Sequence, residues 1–303
     1  MKKISILLIA ICFVVSCGKF SDSTASVANN SGGTPTPNEK TTQGDKANSD
    51  KAQSDAKYEN SPALGTYTGG FEASVFNEKR DYTYQNRITI SIDSLSGDTL
   101  TGHSVVAGNE RPFKGNFKVE GQLFKVEAAE PGDDKYDGKF SFTIDPDKNT
   151  VTGNWKANDK NLDVTERKYA LTKKQFKYDA SLNLPEDVQW AALYGNNPKF
   201  PDKIESLTED VTKFNASTTE LTKKDVENMY KGDLEIIRNT IYARHGYSFK
   251  NRKLRFIFDQ YVSWYMPLNT DIRSNLTEIE KKNIELLKRY EDHAEKYYDE
   301  YGR

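Results

Sequence analysis

From residue 64 to residue 172, apolar side chains return at every second position. Ile88, Ile90 and Ile92 alternate with Arg87, Thr89 and Ser91. Phe113, Gly115, Phe117 and Val119, then Phe124, Val126 and Ala128, then Phe140, Phe142 and Ile144 repeat the rhythm. A period of two is that of a strand with one buried face. Clusters such as Ser96-Gly97-Asp98, Glu120-Gly121-Gln122 and Asp145-Pro146-Asp147 punctuate it as turns. The window 62–172 therefore reads as about eight antiparallel strands with short connections. Such strands close into an up-and-down barrel or stack as a two-sheet sandwich, and the alternation suits both.

Beyond this window the rhythm changes. Residues 173–220 form a connector in which 185–195 predicts a short helix, with Pro185 at its first position, acids in its first turn and Gly195 at its end. Asn196-Asn197-Pro198 and Phe200-Pro201 then break the chain. From 221 to 303 the apolar period lengthens to that of a helix, giving a small helical domain and an α+β fold of two domains. Thr222 with Asp225 and Thr277 with Glu280 are capping boxes. Leu234, Ile237 and Ile241 stripe a central helix that Gly246 stops in a left-handed turn. Leu254, Phe256, Ile257 and Phe258 predict a third helix. The last helix carries Ile279, Asn283, Leu287, Tyr290, Ala294, Tyr297 and Tyr301 on one face. Ile237 and Ile241 are expected against Asn283 and Leu287. Asn283 is polar in that stripe and is expected to bond backbone or Asn239. Residues 247–255 are expected to turn outward towards Trp264.

The N-terminus has another character. Met1-Lys2-Lys3 precedes an apolar run over 4–15, the order of a secretory signal, and the run is too short for a permanent span. Ser16-Cys17-Gly18 resembles the end of a lipoprotein signal, which implies a signal peptide over 1–16 and a lipidated Cys17 as the mature first residue. Residues 17–61 are then a disordered tether: 21–57 hold no aromatic residue and, besides Val27, nothing apolar larger than Ala. About forty such residues span roughly 35 Å. Cys12 and Cys17 are the only cysteines, so disulfides and thiolate chemistry are excluded after residue 17.

Charge narrows the partners. The chain has 43 Lys and Arg against 45 Asp and Glu, a balance that argues against nucleic acid as a partner. Three histidines without clustered spacing give no expectation of a metal or other cofactor. The balance is uneven locally, because from Arg238 to Arg255 there are six Arg and Lys and no acid.

That basic stretch carries a resemblance. The blocks Asp233-Leu234-Glu235-Ile236-Ile237-Arg238-Asn239, Tyr242-Ala243-Arg244-His245-Gly246-Tyr247-Ser248-Phe249, Trp264-Tyr265 with Pro267, and Leu276-Thr277-Glu278-Ile279-Glu280-Lys281-Lys282-Asn283-Ile284 resemble the bacterial YARHG domain over about 222–291. Met266 stands where the resemblance would place a basic residue. The resemblance implies a small, mostly helical domain on an exported bacterial protein. With Cys17 it implies a lipid-anchored location in the cell envelope, at the outer membrane on its periplasmic or surface side.

Three functions follow as expectations. Tyr242, Arg244, His245, Tyr247, Lys250, Arg252, Lys253, Trp264 and Tyr265 combine basic and aromatic side chains that suit an anionic envelope polymer such as peptidoglycan. This makes a binding or structural module without a catalytic residue. Alternatively, His245 is the general base of a hydrolase, with Arg244 as electrostatic stabiliser and Tyr242 as proton donor. The bland account of the same residues places His245 against the carbonyl end of its helix, packs Tyr242 and pairs Arg244 with Glu285 or Asp259. A third possibility is a small apolar ligand within the β domain, whose Gly65-Thr66-Tyr67 and Gly153-Asn154-Trp155 resemble ligand-binding barrels. His103 and Asn109-Glu110-Arg111 are lesser candidates on that domain.

Overall fold

The computed structural model describes residues 58–80, 82–193 and 207–297. The signal sequence, Cys17, the tether up to residue 57, the breaks at 196–201 and Tyr301 lie outside the described residues. The chain divides into Met1–Gln43, which falls wholly outside them, and a compact unit Gly44–Arg303.

Eight strands follow one another in that unit: β1 (Gly65–Phe76), β2 (Gln85–Ser96), β3 (Thr99–Val106), β4 (Asn109–Glu120), β5 (Leu123–Ala129), β6 (Gly138–Asp145), β7 (Thr150–Ala157) and β8 (Val164–Lys173). Each pairs antiparallel with the next, and β8 returns to β1 with Gly69 opposite Leu171 and Phe71 opposite Tyr169. The sheet is thus a closed barrel rather than a sandwich. The alternating side chains point inward, and Tyr67, Ile88, Ile90, Leu100, Phe140 and Ile144 are almost wholly buried. At about 1.5–3 kcal/mol for each large apolar side chain, this filling accounts for much of the barrel's stability.

The two ends differ. At one end Tyr58 packs edge-on against Phe117 and Phe124, so the barrel domain begins at least four residues before the boundary at 62 that composition suggests. At the other end the β1–β2, β3–β4, β5–β6 and β7–β8 connections surround an open mouth.

The helical region holds α1 (Lys223–Val226), α2 (Lys231–Arg244), α3 (Arg252–Tyr261) and α4 (Glu278–Tyr297). Both capping boxes are present: Asp225 Oδ2 accepts from Thr222 N at 2.7 Å, and Glu280 Oε2 accepts from Thr277 N at 2.9 Å. Asn251, which caps α3, accepts from Lys253 N. The helix expected over 185–195 is reduced, among described residues, to a 3-10 turn Trp190–Ala192. Trp190 is buried there, with its Nε1 donating to Pro185 O, so tertiary packing rather than helical propensity shapes the segment.

Helix α2 separates two cores. Ile236 and Ala243 join Phe249, Phe258 and Tyr265 on one side, while Ile237 and Ile241 meet Leu287 on the other, as expected. Asn283 satisfies its amide with backbone alone, accepting from Leu221 N and donating to Ala216 O and Thr219 O. Asn239 instead donates to Glu235 O in its own helix.

Helix α3 packs on β2. Thr89 and Ser91, on the outer parity of that strand, are buried as well. Arg87, on the same outer face, donates from Nη1 to Val262 O and Tyr265 O, and its backbone N donates to Asp259 Oδ2 at 2.9 Å. Burial pushes the Asp259 carboxyl up to about 7, against the pull of the Arg87 hydrogen bond and of the Arg87 and Arg255 charges.

Candidate functional site

Helix α2 ends where the glycine predicts. Gly246 has φ +70°, and its carbonyl accepts from Leu268 N and Asn269 N. Helix C-termini leave carbonyls unsatisfied, and this corner employs them: Tyr242 O accepts from both His245 N and Tyr247 N. The chain after Gly246 does not swing outward. Ser248 and Phe249 are buried, with Phe249 stacked on Phe258 at 4.7 Å, because the aromatic side chains complete the core under α3.

His245 lies inside the domain, 4 % exposed. Its ring does not turn to the helix end but reaches Glu280, with 2.8 Å between Nε2 and Oε2. One ring face stacks on Tyr178 at 4.3 Å, and the Tyr178 hydroxyl donates to Glu280 Oε1. Burial opposes the charge on Glu280, but the hydrogen bonds from His245 and Thr277 outweigh it and hold the carboxyl down to about 2. A carboxylate beside a histidine is what a general base needs, yet this pair is sealed. The ring has one face covered and a nitrogen engaged, so a hydrolytic role would require the domain to open.

The other residues of the expected site are dispersed. Arg244 is buried and donates from Nε to Leu182 O at 2.7 Å and from Nη1 to Ser217 Oγ at 3.0 Å, not to Glu285 or Asp259. Burial lowers its pKa to about 10. Tyr265 is buried, with its hydroxyl donating to Tyr247 O. Trp264 Nε1 donates to Asn183 O at 2.7 Å. Arg252 donates to Tyr82 O in the β1–β2 loop, and Lys253 lies 3.8 Å from Glu235. Tyr242, Tyr247 and Lys250 do come together, beside Arg238, along a cleft of about 670 Å³. Arg238 is held there by a bidentate pair with Glu291.

A second site lies at the mouth of the barrel, around a cavity of about 630 Å³. Its floor is aromatic, with Phe71 edge-on to Trp155 at 5.9 Å. One pole is acidic. Glu130 accepts from Trp155 Nε1 at 3.0 Å and from Gly138 N at 2.7 Å, and burial raises its pKa against those bonds. Asp137 binds Arg111 and organises the β5–β6 loop by accepting from Gly132 N and Asp134 N. The other pole is basic. Arg167 of β8 points inward, donating to Phe71 O, Tyr84 O and Thr83 O. Burial, and then the charge of Arg255, lower its pKa to about 10.

The helical region contributes to this mouth. Arg255 of α3 lines it, donating to Asn86 Oδ1 and to Lys250 O. Arg252 secures the β1–β2 loop at Tyr82, and Ser248 Oγ accepts from Gly108 N at 2.9 Å in the β3–β4 turn. Gly108 has φ +74°, and a side chain there would run into Lys250. Asn109 and Arg111 line the cavity, whereas His103 pairs with Asp93 on the outside of the barrel.

Arg167, Glu130 and Arg255 are absent from the sites that the sequence suggests, whereas Trp155 belongs to the Gly153-Asn154-Trp155 segment named for a ligand in the barrel. A signal for two of them exists: Arg167 shares the inward parity of Tyr169 and Leu171, and Glu130 that of Val126 and Ala128. A charge on the core-facing parity of a strand needs an explanation, and here the mouth supplies it. No cluster of three or more His, Cys, Asp or Glu among the described residues could hold a metal ion. Among the same residues no helix is long and apolar enough to cross a membrane.

No curated protein and no solved structure matches the chain. One family model does, from residue 209 to residue 292. It begins ahead of the blocks that carry the resemblance and takes in the 3-10 turn Glu209–Thr212, whose preceding residue Thr208 bonds Asp233 at the start of α2 through both its backbone N and its hydroxyl. Residues 209–292, which hold α1 to α3, most of α4 and the corner at Gly246, are therefore a YARHG domain.

Proposed function

We propose that this chain is an exported protein, lipid-anchored at Cys17 in the cell envelope, whose work is non-enzymatic binding in the mouth of its barrel. The observation that carries this reading is the cavity itself: four loops enclose about 630 Å³ over an aromatic floor, with buried charges turned inward. Small-molecule sites have this size and this mixture of apolar wall and few polar groups. The basic side chains of 250–255 support the mouth over an anionic polymer as the ligand, since Arg252 and Arg255 direct hydrogen bonds to Tyr82 and Asn86 of the barrel. The YARHG domain then acts as a brace that fixes two of the mouth's loops.

The test is occlusion. Asn161 is exposed on the β7–β8 loop and lines the mouth, so Asn161→Trp narrows the entrance without touching the core. The full chain and this variant are dialysed against a small-molecule extract of bacterial envelopes, and the retained compounds are identified by mass spectrometry. The parent is expected to retain at least one compound that the variant loses. Equal retention by both proteins removes the mouth from consideration.

A further inference from the structure

The geometry points to Arg167 as the receptor for the carboxylate of a small organic anion whose planar or aliphatic body lies against Phe71 and Trp155. This assignment rests on the reading of the mouth as a binding site and names the class of ligand.

Arg167 is 8 % exposed, and its guanidinium carbon lies 5.2 Å from the centroid of the Phe71 ring. Guanidinium has five N–H donors. Three are used: Nη1 donates to Phe71 O at 3.0 Å and Tyr84 O at 3.2 Å, and Nη2 to Thr83 O at 2.9 Å. The Nε–H and one Nη2–H remain. A neighbouring pair of N–H groups is the fork that a carboxylate accepts with both oxygens, as Glu291 does from Nε and Nη2 of Arg238 elsewhere in this chain.

The charge around the cavity favours the same conclusion. Its acids are committed: Glu130 to Trp155 and Gly138, Asp137 to Arg111, and Asp163 to Arg80 at 2.9 Å. Asp159 turns back to accept from Asn161 N and lies near Lys135. Among the described residues no carboxylate pairs with Arg167, and the neighbouring guanidinium of Arg255 adds a second positive charge. Carbonyl dipoles solvate a buried cation only in part, so an anion arriving at this pole meets a charge already stripped of water. The aromatic floor beside it accepts an apolar body, and the Trp155 ring is held edge-on to Phe71 by its bond to Glu130.

The experiment is a charge series of one shape on the unaltered full chain: naphthoate, naphthalenemethanol and naphthylmethylammonium, followed by calorimetry and by tryptophan fluorescence. Naphthoate is expected to bind about tenfold or more tightly than the alcohol, with the ammonium weakest. Arg167→Lys keeps the charge but loses the fork, and is expected to bring naphthoate close to the alcohol while leaving alcohol binding in place. Arg255→Gln tests the pole without altering the three carbonyl bonds of Arg167, and is expected to weaken naphthoate alone. Equal affinity for all three probes overturns the anion assignment and leaves the mouth a binding site. Failure of all three to bind overturns the assignment as well, and equal retention by the parent and the Asn161→Trp variant then removes the underlying reading too.

Discussion

Replacing Glu280 by Gln removes one charge from the sealed cluster at the head of α4 and keeps the shape of the side chain. In the native protein this carboxylate accepts from His245 Nε2, Thr277 N and the Tyr178 hydroxyl, with the side chain wholly buried. Burial opposes the charge, but the bonds from His245 and Thr277 hold the carboxyl down from 4.5 to about 2. A depression of that size corresponds to about 3 kcal/mol of stability. Because the folded-state value is the lower one, the contribution is fully present above the unfolded value of 4.5. It is lost as pH falls through that value towards about 2. Glu280→Gln should therefore unfold more easily than the parent by about 3 kcal/mol at neutral pH, with a gap that closes as the solution is acidified through that window. Urea unfolding followed by the helical circular dichroism signal measures both free energies at each pH. A gap of the same size in neutral and acidic solution would assign the effect to shape rather than charge. No gap at neutral pH would mean that the buried pair adds no stability.

Two further expectations concern the corner and the anchor. Gly246→Val should cost more than about 1 kcal/mol, since a left-handed φ is unfavourable for a branched residue. Its Cβ would also stand 3.1 Å from Met266 O and 3.2 Å from the Phe176 ring. Denaturant unfolding of the variant checks this, and unchanged stability would contradict the reading. Cys17→Ser should move the protein from the membrane fraction to the soluble fraction of fractionated cells, and continued membrane association would refute a lipid anchor at that residue.

The strands were legible because one buried face imposes a period of two, as Ile88, Ile90 and Ile92 show. Closure was not legible from that period, since the inward parity of Tyr67 or Phe140 would serve a sandwich core equally well. The pairing of β1 with β8, which decides between them, joins residues about a hundred positions apart. What could be read of the YARHG domain has local determinants: a glycine with positive φ, capping boxes whose two members stand three positions apart, and a helix striped on two sides. Its side-chain partners are distant. Arg244 reaches Leu182 and Ser217, and His245 reaches Glu280, so spacing along α2 says little about what those side chains do. The mouth was hidden for the same reason. Phe71, Glu130, Trp155, Arg167 and Arg255 meet only once the sheet has closed and α3 has docked.

The brace on the barrel is one-sided, and that has a mechanical consequence. The hydrogen bonds between the YARHG domain and the barrel lie on the β1–β2 side, at Tyr82, Asn86 and Arg87, and on the β3–β4 turn, at Gly108. The β5–β6 and β7–β8 loops are instead laced to each other, with Asn158 N donating to Asp137 O. The mouth is thus a vice with one jaw bolted to a helical block and the other, a pair of linked loops, held to the first by Arg80 with Asp163 and by Arg111 with Asp134 and Asp137. Displacement of residues 130–137 and 158–163 for a bulkier ligand would have to break those ion pairs. Arg167, clasped by three carbonyls of the bolted jaw, would stay where it is, so ligands differing in bulk would share one fixed point of attachment.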